Sequence, residues 1–65
     1  LAAYCVNFSH QGICFESEHR LAVGAHYEVR ISLFEQAEPI RCAGKIRWIK
    51  EVLPGFFLSG MQFDS

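Results

Sequence analysis

Apolar and polar residues alternate with a period of two along most of the chain, the spacing of strands that bury one face. In residues 2–9, Ala2, Tyr4, Val6 and Phe8 interleave with Ala3, Cys5, Asn7 and Ser9, and the second set is expected to face outward. Gly12 opens a short strand in which Ile13 and Phe15 point inward while Cys14 and Glu16 point out. The charged stretch ESEHRLAVGAH at 16–26 reads as a loop with Leu21 or Val23 tucked beneath it. The clearest strand signal follows, with Tyr27, Val29, Ile31 and Leu33 set against Glu28, Arg30 and Ser32.

The EQAEP segment at 35–39 predicts a hairpin connection, because Pro39 has no amide proton to give a ladder. A long strand over 40–50 would place Ile40, Cys42, Ile46 and Trp48 on the core face and Arg41, Lys45 and Arg47 on the other. Pro54 and Gly55 then mark a turn, after which Phe57, Met61 and Phe63 fill the core, with Ser59 on the same side. Five short strands with no convincing helix define an all-β class, an antiparallel sheet curling into a small barrel.

Composition narrows the function. Sixty-five residues, 51% of them hydrophobic, suffice for one small domain with one core. A net charge of −1 supplies no global basic field, so no duplex nucleic acid is expected as a partner, and any anion site must be local. The apolar runs are too short for a membrane segment. Cys5, Cys14 and Cys42 are an odd number with no CxxC pair, which points away from a disulfide framework and toward a reducing, cytoplasmic setting. Cys5, His10 and Cys14 lack a fourth ligand at useful spacing, so no metal and no cofactor is expected. No His, Ser or Cys stands with the partners that nucleophilic or acid-base catalysis needs, so no enzyme is expected.

The segment NFSHQG places Asn7, Ser9 and Gly12 in the spacing NxSxxG between two apolar strands. That spacing resembles the signature turn of the PilZ family, whose domains bind cyclic di-GMP. The order of later landmarks is similar to the same family: Leu21 and Gly24, Ile46 and Trp48, Gly60 and Phe63. The resemblance covers nearly the whole chain and implies a single PilZ-type barrel over residues 1–65. It also implies an upstream RxxxR motif, which this chain does not contain, so an N-terminal strand and arm are expected to be missing. Without that strand, two edges of the sheet should keep unpaired backbone groups.

Two readings of Asn7 and Ser9 compete. Their side chains either bond the local backbone and shape the turn, or present donors and acceptors to a guanine edge. Gly12 is expected to supply the positive φ of a tight reversal and to let a ligand approach the backbone. Trp48 could stack on a base, but its alternation with Ile46 favours the core. The resemblance implies a bacterial signalling module that couples cyclic di-GMP to an attached or partner effector, with motility or exopolysaccharide output. The alternative is a degenerate PilZ-like domain that works through protein contacts. A third class, an OB-like barrel for single strands, would need exposed aromatics beside a basic groove, which the near-neutral charge disfavours.

Overall fold

The computed structural model describes residues 2–32 and 38–64. Five strands run in chain order: β1 Ala2–Phe8, β2 Gly12–Ser17, β3 His26–Ser32, β4 Ile40–Leu53 and β5 Phe56–Phe63. They close into a barrel in the order β1-β2-β5-β4-β3. Four neighbouring pairs are antiparallel, as the alternation predicts. The fifth is parallel: Ala2, Ala3 and Tyr4 of β1 lie beside Arg30, Ile31 and Ser32 of β3. The open edge expected from a missing strand is therefore not there, because the start of β1 curls onto β3 and pairs its backbone groups. The expectations for Ala2, for Leu33 and for residues 35–37 of the connection lie outside the described side chains and residues.

Phe15, Val29, Ile31 and Ile46 are fully buried, with Ile13, Met61, Leu21 and Ala3 completing the core and Phe63 packed against it. On β2, β3, β4 and β5 these are inward positions that period two assigns, whereas Ile40 at the start of β4, also expected on the core face, is 47% exposed. Strand β1 reverses its assignment. Ala3 is buried, whereas Tyr4, Val6 and Phe8 are 72%, 56% and 65% exposed. Volume explains the reversal: Cys5 lies opposite Phe15 and Ala3 opposite Ile31, so small residues of β1 meet the bulky ones of its neighbours. A barrel this narrow has no room for a second aromatic layer at close-packed density.

Apart from a register shift between Glu51 and Leu53 near the β4–β5 turn, two bulges adjust the faces further. One in β1 falls between Cys5 and Asn7, so the phase shifts at Val6 and Asn7 stands outward opposite Cys14. The other in β4 falls between Ile46 and Trp48. Ile46 opposes buried Met61, whereas Trp48 opposes Gly60, and the indole is turned out of the core. Trp48 is 43% exposed, which corrects its expected place inside.

The loop before β3 is tied down by its own chemistry. Gly24 takes a φ of 89° and donates its amide to the Ile46 carbonyl at 2.8 Å, while the Ile46 amide returns to Ala25 at 3.0 Å. Leu21 is the residue buried under this loop and Val23 is exposed. Arg20 reaches Glu51 at 3.3 Å and lies 4.7 Å over the Phe57 ring, fastening the loop to the β4–β5 hairpin. Pro54 and Gly55 make that hairpin, with Gly55 at a φ of 82°.

Candidate functional site

The signature turn joins β1 to β2 and is built from its own polar groups. The Ser9 amide donates to the Gly12 carbonyl at 2.9 Å, and the Ser9 hydroxyl accepts from the Gln11 amide at 3.3 Å. The Gln11 carbonyl accepts from the Phe63 amide at 2.9 Å, which pins the turn to the end of β5. Gly12 does not take a positive φ; that expectation is corrected, since Gly24 and Gly55 are the glycines that do. Its reason for lacking a side chain is close approach, because a Cβ there would strike the Met61 carbonyl oxygen of β5.

Cross-strand register carries the site from the turn across the sheet. Asn7, Cys14, Gly60 and Trp48 form one outward row over β1, β2, β5 and β4. Gly12, Gln62 and Lys45 form the adjacent row. Three strand spacings separate the ends of the first row, roughly 14 Å. Between those ends lies a groove of about 360 Å³, lined on one side by Asn7 and Ser9 and on the other by Arg47 and Trp48. Gly12 and Gly60 also line it, and the space a side chain on Gly60 would fill is taken by the Trp48 indole. That volume falls at the small end of ligand pockets, about 300–1,000 Å³.

All three signature residues thus meet in one groove. Ser9 helps shape the turn, whereas among the described residues the Asn7 carboxamide has no hydrogen-bond partner and stays available. Sequence reasoning weighed Trp48 for stacking but favoured the core for it, read Arg47 as part of a basic stripe with Arg41 and Lys45, and did not place Gln11 or Gln62 here. The pairing of an aromatic residue on one strand with a glycine on the next could have signalled Trp48, but a bulge leaves no mark in the alternation that precedes it.

Charge separates this groove from a second hollow of about 410 Å³ beside Tyr4 and Phe56, which is edged by Glu16 and Glu18 and would repel a phosphate. Arg47 is the one charged side chain lining the first groove among the described residues. Cys14 lies in the floor; burial pushes its thiol above the usual range, and nearby Cys5 adds to the shift. Cys5 pairs across to buried Phe15 while Cys14 sits in the outward row, so the two thiols belong to different faces.

The groove at the signature turn of this small closed barrel is thus largely neutral and edged by an aromatic residue. The PilZ domain model matches residues 1–65, and the chain belongs to the PilZ domain family. No match to this chain was found among the curated proteins or the solved structures. No helix is long and apolar enough to cross a membrane among the described residues.

Proposed function

We propose that the domain binds cyclic di-GMP in the groove between Asn7 and Trp48. The observation that carries this reading is that Asn7, Ser9 and Gly12 line one groove together with a partly exposed indole on its far side. A guanine offers O6 and N7 as acceptors and its amino group as a donor, and a carboxamide free of internal bonds can answer either kind. The Ser9 hydroxyl keeps donor capacity after accepting from the Gln11 amide. Trp48 offers an aromatic face on which a purine can stack, worth about 1–3 kcal/mol per base.

Family membership supports the ligand, and the charge balance sets its strength. Cyclic di-GMP carries two phosphates, while the signature contributes neutral groups, so an RxxxR arm preceding β1 would add the charge-assisted bonds that are roughly twice as strong as neutral ones. Asn7 lies near one end of β1, and that strand would carry the ligand's ordering effect to an attached or partner effector. We read the domain as a cytoplasmic receptor, not a catalyst. Calorimetric titration with cyclic di-GMP tests the reading: saturable binding weakened about tenfold by Ser9→Ala, the loss of one hydrogen bond, is the expected result. A folded chain that ignores the nucleotide would leave it in the class of protein-interaction modules.

A further inference from the structure

We infer that Arg47, the residue inserted by the β4 bulge, is the phosphate-contacting cation of this groove. The inference rests on the nucleotide reading above and adds a contact that the NxSxxG turn does not provide. Residues 46 and 48 both have partners on β5, Met61 and Gly60, and Arg47 is the extra residue between them. Such residues are often re-aimed by the bulge that holds them. Here Arg47 lines the groove beside Trp48, on the wall opposite Asn7 and Ser9.

Accounting for the other cations points the same way. The chain has six Lys and Arg residues. Arg20 is occupied by Glu51 and the face of Phe57. Arg30 and Arg41 oppose each other on β3 and β4, and Arg41 is six residues along β4 from Arg47, roughly 20 Å in an extended strand. Lys50 lies opposite Leu58, and Lys45 sits beside Gln62 without lining the groove. No carboxylate lines the groove among the described residues, and none lies within ion-pair distance of Arg47. A guanidinium in a groove of neutral hydrogen-bonding groups can give its fork to a phosphate while guanine occupies the groove beside it.

Two probes divide the outcomes: cyclic di-GMP, which carries phosphate, and guanosine, which does not. Binding is followed by calorimetry and by the emission of Trp48, the chain's single tryptophan. Arg47→Ala should weaken cyclic di-GMP by about 10- to 100-fold, the loss of a charge-assisted bond, and leave guanosine unchanged. Arg47→Lys should fall between, and Arg41→Ala should match the parent chain. Wild-type binding of cyclic di-GMP by Arg47→Ala would overturn the assignment alone, as would equal weakening of both probes, which would mark Arg47 as shaping the groove. Failure of the parent chain to bind either probe would overturn the nucleotide reading and this inference with it. Unfolding midpoints of Arg47→Ala and Arg47→Lys close to the parent's keep the comparison one of binding.

Discussion

The indole of Trp48 lies over the α-carbon of Gly60, in the space a side chain on that residue would fill. Two landmarks twelve positions apart are therefore one structural unit, an aromatic ring covering a cross-strand glycine. The unit fixes where the ring stands at the groove: packed on Gly60, the indole stays partly exposed.

Gly60→Ala breaks the unit directly. The new methyl group would meet the indole nitrogen, so the ring must swing away from β5. Overpacking of this kind costs about 1–3 kcal/mol. Denaturant unfolding should show that loss, and Trp48 emission should shift to the red as the ring moves into water. Unchanged emission would mean that the indole does not rest on Gly60.

The reversed face of β1 gives a sharp contrast between two phenylalanines. Phe15 is fully buried, and Phe15→Ala should cost about 3–5 kcal/mol. Phe8 is largely exposed, and Phe8→Ala should stay within about 0.5 kcal/mol. Equal losses at the two sites would restore the arrangement in which Phe8 belongs to the core.

Ser59 sits wholly inside the barrel with its hydroxyl lacking any partner among the described residues. A buried polar group left unbonded costs about 1–3 kcal/mol of desolvation. Ser59→Ala is therefore expected to raise stability by about 1 kcal/mol, read from the shift in unfolding midpoint. A loss of similar size would show that the hydroxyl is bonded.

The Cys14 thiol provides a pH test. Burial, with Cys5 adding, raises its pKa above the ordinary value in the folded chain. An unfolded thiol then loses its proton first, so this contribution to stability is complete below about pH 8.5 and declines as pH climbs through the folded pKa. Alkylation of Cys14 near neutral pH should be slower in the native chain than in urea, and occupancy of the groove should slow it further. Equal rates in both states would contradict the partial burial of this thiol.

Much of the barrel was legible because hydrophobic alternation is a direct consequence of a half-buried strand. Ile13, Phe15, Val29, Ile31, Ile46, Phe57, Met61 and Phe63 all fall on the side that their spacing assigns. Strand β1 failed because both of its faces carry apolar residues, and the choice between them depends on volume supplied by β2 and β3. Trp48 failed because one inserted residue in β4 inverts the phase, which is a property of the pairing with β5 and not of β4 alone. Closure through a parallel β1–β3 contact was hidden for the same reason, since pairing of distant segments leaves no local trace. The signature turn was readable as a cluster, yet the need for Gly12 lay in the approach of β5 rather than in backbone conformation.

The most direct test of the account is a nuclear magnetic resonance titration of the ¹⁵N-labelled chain with cyclic di-GMP at low ionic strength, which detects binding even when it is weak. Saturable shifts centred on the amides of Asn7, Ser9, Gly12 and Arg47, the side-chain amide of Asn7 and the indole N–H of Trp48 are expected, with Arg30 and Arg41 on β3 and β4 unmoved. A folded chain whose groove signals stay in place at saturating nucleotide, or whose shifts gather around Tyr4 and Phe56 instead, would contradict it.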